Sequence, residues 1–475
     1  MNAFTFLVDA ARRWPDAPAS ISASGTLSFR DLLDQAESVK GALFESGLRP
    51  GMGLGLVAEN SPEFIVGLFA GLASGAVVMP LSPHLKPQEF SRILELVPLA
   101  AILHDGSLRD ELPRAITSRR GAFNLSLRSR EHHVRVAPGI PDAAVIRFTS
   151  GTTGSSKGVV LSHCSVFERT EAACEGLRLS AGDSVLWVLP MAYHFVVSIL
   201  AFVRYGISIV IPSSPSPRDL ADAATRNTPS LFYASPAVAH ALLSSSDALS
   251  LPATMRVVTT SSGLSPLHSR AFHDRFGITV DQLYGLIEVG LPIGTTMNNT
   301  PNPGSVGRAL PGYEVAILDQ SGQRLPANTL GSLAVRGPGM FDAYLNPYRP
   351  AREVLVHGWF LTGDLAVQDE NGEVTVKGRE KSVINVSGNK VFPEEVEGVL
   401  CSFPGVRAAR VYGVTRGDGE EAVVAEVVPQ PDREIPVEAL GAYAAERLSH
   451  YKLPARISIV SSIDMTDSGK VRRAA

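Results

Sequence analysis

Cysteine is scarce in this chain, with Cys164, Cys174 and Cys401 the only three in 475 residues. Thiols so few and so scattered build neither a disulfide framework nor a zinc cluster, and their scarcity implies a reducing, cytoplasmic setting. Charge of one sign is lacking too. Lys and Arg number 43 against 47 Asp and Glu, a net charge of −4. No long basic block accompanies that balance, so nothing suggests a nucleic-acid surface. Long hydrophobic runs are missing, with one exception. Phe64 to Pro83 carries no charge and approaches the length of a bilayer span. Its glycines, the β-branched pair Val77-Val78 and Pro80 fit a buried helix running into a buried strand better, and no membrane span is expected. The opening "MNAFTFLVDAARRWPDAP" has no basic-then-apolar leader pattern and reads as a short amphipathic helix ending near Pro15. Internal repeats and low-complexity tracts are absent.

What is present describes an ordinary globular protein: 45% hydrophobic and 19% charged residues, in a chain long enough for two or more domains. Helical stretches alternate with short apolar runs such as "LGLVAE", "AVVMPL", "LAAILHD", "SVLWVLP", "SIVIP" and "MRVVTTSS". That rhythm predicts an α/β fold with parallel sheets covered by helices. From about Gly304 strands and turns take over ("GYEVAILDQSGQRLP", "GSLAVRG", "GEVTVKGR") and predict a β-rich subdomain. After "GREKS" a helix, strands and a second helix suit a small α+β domain. The expected division is residues 1–378, a junction at 379–382, and 383–475.

One stretch stands apart: "FTSGTTGSSKGVVLSH", residues 148 to 163. Three readings compete for it. A surface loop is the plainest, but strand-like "AAVIRF" and "GVVLSH" hold the stretch tightly at both ends. Gly154 to Gly158 also satisfies the G-x-S-x-G pattern of a hydrolase elbow, which needs a strand directly before it and a long helix directly after. Phosphate binding fits best. Consecutive small residues let backbone N–H groups converge on an anion, hydroxyls add donors, and Lys157 adds a point charge. A Walker loop is excluded, because Lys157 follows Ser156 rather than Gly.

The stretch "TSGTTGSSKG" resembles the phosphate-binding signature of the ANL adenylating enzymes, with Ser156 where Pro is usual. Further motifs follow in the family's order. "YGLIEVG" resembles the aromatic-Gly-x-Thr-Glu element, with Ile287 in place of the Thr. "GWFLTGDLA", "VKGREKSVINVSGNKVFPEEVE" and "DSGKVRR" are similar to the ribose-binding, hinge and C-terminal lysine elements. The resemblance covers essentially the whole chain. It implies a large N-terminal domain that binds ATP and the acid, and a small mobile C-terminal domain.

By the same resemblance, Thr149, Ser150, Gly151, Thr152, Thr153, Gly154 and Lys157 would hold phosphates. Tyr284 and Gly285 would meet adenine, Glu288 would hold Mg²⁺, and Asp364 and Arg379 would take the ribose. Lys381 would be the hinge, Gly388 would line the thiol tunnel, and Lys470 would be the catalytic lysine. Singly, each has a duller explanation: Asp364 closing a turn, Glu288 at a solvated strand end, Arg379-Glu380-Lys381 a solvated charge cluster, Lys470 in a basic tail. Their order argues for the functional roles. The implied reaction joins a carboxylate to the α-phosphorus of ATP with loss of pyrophosphate, after which a thiol displaces AMP.

In "LPMAYHFVVSIL", residues 189 to 200, His194 and Phe195 occupy the family's acyl-pocket place, and Gly263 of "TSSG" would leave room beside them. No carboxylate lies in that segment. An ammonium buried there unpaired would cost roughly 2–5 kcal/mol, so a fatty or aromatic acid without a free α-amine is expected. Coenzyme A or the phosphopantetheine of a carrier protein would accept the acyl group. A homologue that binds nucleotide without catalysis is the non-enzyme alternative, and Ile287 is what favours it.

Overall fold

The computed structural model describes residues 1–107, 116–120, 123–128, 130–148, 157–296, 304–386, 388–415, 420–430 and 433–463. Among these, the first two-thirds of the chain form two large mixed sheets. In one, the strands Pro18–Ser22, Ser208–Val210, Ser184–Trp187, Leu231–Ala234, Arg256–Thr259 and Val280–Leu286 run parallel. In the other, Leu99–His104, Gly53–Val57, Val77–Leu81 and Ala143–Phe148 do so. These centres match the alternating helix–strand rhythm, because strands covered on both faces read as continuous apolar runs.

The edges depart from all-parallel expectation. Gly290–Gly294 folds back antiparallel on Val280–Leu286, and Gly158–Ser162 folds back on Ala143–Phe148 with Phe148 opposite Gly158. Short reversals of this kind need only a hairpin, whereas a parallel neighbour needs a crossover.

Local signals explain the helices. Ser28 and Asp31 form a reciprocal capping box that starts Phe29–Glu45, and Gly47 at φ +92° follows its end. The charge-free segment becomes the helix Pro62–Ala73, with Ser61 accepting from the Phe64 N–H and residues 64 to 72 all buried, and then the strand Val77–Leu81. Among the described residues no helix is long and apolar enough to cross a membrane.

The strands Glu314–Leu318, Gly331–Arg336, Phe360–Gln368 and Val374–Arg379 form an antiparallel sheet. A turn at Glu380–Ser382 follows. From Ile384 onward the buried apolar residues form a core of their own, around the strands Val406–Thr415, Glu421–Pro429 and Arg456–Ile459 and the helices Pro393–Cys401 and Val437–Ala445.

Candidate active site

"YGLIEVG" is a hairpin. Tyr284 pairs with Ile293 and Leu286 with Gly290, with a register shift between them. A Cβ on Gly285 would stand 2.8 Å from the Gly290 carbonyl oxygen, so this glycine is required by the hairpin itself. Glu288 sits in the turn. The Tyr344 hydroxyl donates to its Oε1 at 3.0 Å. Burial, and then the Glu288 charge, raise the Tyr344 pKa, which keeps that hydroxyl a donor. The Lys157 ammonium lies 4.8 Å from the centre of the Tyr344 ring.

Arg169, fully buried on the helix His163–Leu177, fixes the turn from behind. Its guanidinium donates to the carbonyls of Ile287 at 2.5 Å, Glu288 at 3.1 Å and Gly339 at 2.8 and 2.5 Å. Burial lowers its pKa to about 10, so it is charged at neutral pH. The Phe341 N–H also donates to the Glu288 carbonyl, at 2.8 Å. Ile287 turns its side chain against the core and offers only its carbonyl.

A second cluster forms where strand Phe360–Gln368 faces Val374–Arg379, with Asp364 directly opposite Arg379. The Arg379 Nε lies 2.8 Å from Asp364 Oδ1, and its Nη1 donates to the Thr362 carbonyl at 3.0 Å. The Tyr284 hydroxyl donates to Asp364 Oδ2. Burial, and then the Asp364 charge, push the Tyr284 phenol well above the usual tyrosine range. Tyr284, Asp364 and Arg379, separated by 80 and 15 positions in sequence, therefore form one hydrogen-bonded unit.

His194 ends the short helix Met191–His194, its ring centre 6.4 Å from that of Trp187 and edge-on to it. A six-residue π-helical stretch, Phe195–Leu200, follows. Phe195 is wholly buried in the main core. Asn60 holds the segment in place, donating to the Leu189 carbonyl and accepting from the Met191 N–H, both at 2.8 Å. Gly263 is exposed, with open space where a Cβ would stand. Nearby Ser261 holds φ +80°, and its buried hydroxyl has no hydrogen-bond partner. That is a strained backbone of the kind found at functional sites.

Lys381 is exposed in the turn at Glu380–Ser382. Gly388 sits at φ +81° with nothing within 4 Å of a Cβ, so the bend alone demands glycine there. Thr149, Ser150, Gly151, Thr152, Thr153, Gly154 and Lys470 lie outside the described residues. Sequence reasoning missed Tyr344, Arg169 and Thr362. The one visible hint was a charged residue inside the helix at 169.

The hairpin of residues 280–294 thus carries both Tyr284, bonded to the Asp364–Arg379 pair, and Glu288, bonded to Tyr344. The chain belongs to the AMP-binding enzyme family, which it matches over residues 7–345, with the AMP-binding enzyme C-terminal domain over 395–470. It is an adenylate-forming enzyme of the ANL superfamily and an AMP-forming acid–thiol ligase that uses ATP. It is 28% identical to the indoleacetate–CoA ligase of Aromatoleum aromaticum, over 94% of this chain and 92% of that one. It is 29% identical to the fatty acid–acyl-carrier-protein ligase ScoC of Streptomyces coeruleorubidus, over 98% and 93%. ATP-bound MatB from Rhodopseudomonas palustris superposes with a TM-score of 0.85 at 25% identity, covering 99% and 97% of the two chains.

Proposed function

We propose that this enzyme activates a fatty or aromatic carboxylic acid lacking a free α-amine and passes the acyl group to the thiol of coenzyme A. The observation that carries this reading is the convergence of the Tyr284–Asp364–Arg379 unit and the Glu288 turn. The segment bearing His194 supplies the acid-pocket side of the reading. Its neighbours Phe195 and Val196 are buried and apolar, and it offers no carboxylate to pair an ammonium. Similarity to an aryl-acid ligase and to a fatty-acid ligase supports both acid classes. The second of these also favours an alternative acceptor, a carrier protein's phosphopantetheine.

Attack of a carboxylate on a polyphosphate brings like charges together, so the site must gather cations and donors where charge develops. Asp364 would accept from ribose hydroxyls, Tyr284 would flank the adenine, and Lys157 with the amides of 149–156 would hold the leaving phosphates. Glu288 suits Mg²⁺. Tyr344 engages only its Oε1, leaving Oε2 clear of protein donors among the described residues, and Mg²⁺ binds through one or two carboxylates plus phosphates. Bound there, the ion would neutralise phosphate charge. Lys470 would bring a second cation, Lys381 would be the pivot that delivers it, and Gly388 would line the path of the thiol.

ATP–pyrophosphate exchange over fatty, benzoic, cinnamic and amino acids tests this reading. Exchange with fatty or aromatic acids is expected, and exchange with amino acids alone would overturn it. Adding coenzyme A, then a pantetheinylated carrier protein, separates the acceptors: a thioester on the carrier alone would favour the alternative.

A further inference from the structure

Two arginines flank the site, Arg169 buried and Arg147 partly so, and they differ in what they hold. The guanidinium of Arg169 is satisfied by three carbonyls. Arg147 stands on the otherwise apolar strand Ala143–Phe148. Its Nε is sealed from solvent with no hydrogen-bond partner, and no carboxylate of the described residues lies within ion-pair distance.

Strand register shows where Arg147 points. It pairs with Val159, and Val159 pairs with Tyr344. Directly paired residues send their side chains to the same face of a sheet, and Val159 and Tyr344 both belong to the main core. Arg147, Val159 and Tyr344 therefore form one row on one face. At its far end Tyr344 holds Glu288. At its near end the guanidinium carbon of Arg147 lies 5.5 Å from the centre of the Tyr193 ring, beside His194. The guanidinium with the unpartnered Nε thus stands in the row between the acid-pocket segment and Tyr344, which holds the carboxylate suited to Mg²⁺.

Burial lowers the Arg147 pKa to about 10, with Tyr193 and Glu288 opposing that shift and Arg169 adding to it. The group is charged at neutral pH. A sealed donor left without a partner is costly to the fold, and features of that kind gather where function requires them. The partner that matches a guanidinium in charge and shape is a carboxylate, which it grips through two parallel hydrogen bonds.

We propose that Arg147 is a further catalytic residue of adenylation, binding the carboxylate of the incoming acid and holding it against the α-phosphorus. This rests on the function proposed above. In the step, a carboxylate oxygen forms the bond to phosphorus, the bond to the bridging oxygen breaks, and pyrophosphate departs with the electron pair; no proton moves. The acyl group loses its negative charge as the adenylate forms, so Arg147 acts on the first half-reaction and not the second.

Arg147→Met and Arg147→Lys test the assignment. In pyrophosphate exchange, the Met variant should lose about 10- to 100-fold in kcat/KM for the acid, the worth of a charge-assisted hydrogen-bonded contact. KM for ATP should change little, and Lys should recover part of the loss. Thioester formation from supplied acyl-adenylate should be unaffected. The melting temperature of the free Met variant should equal or exceed that of the wild type, because a sealed donor without a partner has been removed. A markedly lower melting temperature, equal losses in both half-reactions, or a loss confined to acids with a second anionic group would overturn the role of Arg147 while leaving the enzyme's activity standing. Absence of wild-type exchange with every acid would instead bring down the functional reading, and this proposal with it.

Discussion

At the scale of single residues, the site depends on buried side chains that touch backbone rather than substrate. Arg169 is the clearest case. It joins the turn bearing Glu288 to Gly339, which lies shortly before Tyr344, and Tyr344 in turn grips the Glu288 carboxylate. Removing it would leave the Ile287 and Gly339 carbonyls without the donor they have now, each worth about 1–3 kcal/mol if unsatisfied, while the Glu288 carbonyl would keep the Phe341 N–H. Arg169→Leu should therefore lower unfolding stability by about 3–5 kcal/mol, read from denaturant midpoints, and reduce adenylate formation together with it. A loss below about 1 kcal/mol, the median for an exposed charge contact, would show that the clamp matters little. Glu288, Asp364 and Arg379 could be picked out as candidates because each stands inside a dense signature. Arg147, Arg169 and Tyr344 were not, because what unites them is strand register and packing between residues far apart in the chain.

At the scale of elements, helix starts and buried strands could be read from caps and apolar runs. The six-residue π-helical stretch Phe195–Leu200 could not, because nothing in "FVVSIL" separates an i→i+5 pattern from an ordinary helix. Such stretches gather at functional sites, and this one follows His194. A second element-level feature is how the first helix is anchored. The Ala3 N–H donates to His163 Nδ1 at 3.1 Å, at the start of the helix His163–Leu177. Burial, outweighing the Asp142 charge, lowers the His163 pKa to about 4. The unfolded chain takes up a proton near pH 6.5 and the folded one only near 4, so stability is full above about pH 7 and declines as pH falls through that window. The contribution at the acid end is about 1–3 kcal/mol. Unfolding midpoints at pH 7.5 and 5 should differ more for the wild type than for His163→Asn, which cannot be charged. Equal differences would remove His163 from the account.

At the scale of the whole molecule, the site belongs to no single layer. One mixed sheet supplies Tyr284 and Glu288, the other supplies Arg147 and Tyr344, and the antiparallel sheet supplies Asp364 and Arg379. One hydrophobic core touches all three sheets, so their packing fixes where these side chains meet. The division of labour with the C-terminal portion follows. Under the proposed function the upstream sheets would hold nucleotide and acid, and Lys470 would bring the last positive charge to the reacting phosphorus. Single-turnover measurement of Lys470→Ala tests this most directly, with ATP affinity and acyl-adenylate formation read on the same preparation. ATP affinity should be nearly unchanged while adenylate formation falls about 10²–10³-fold, as expected for loss of one pre-aligned charge. Adenylate formation at the wild-type rate, or ATP binding lost in parallel, would contradict the account.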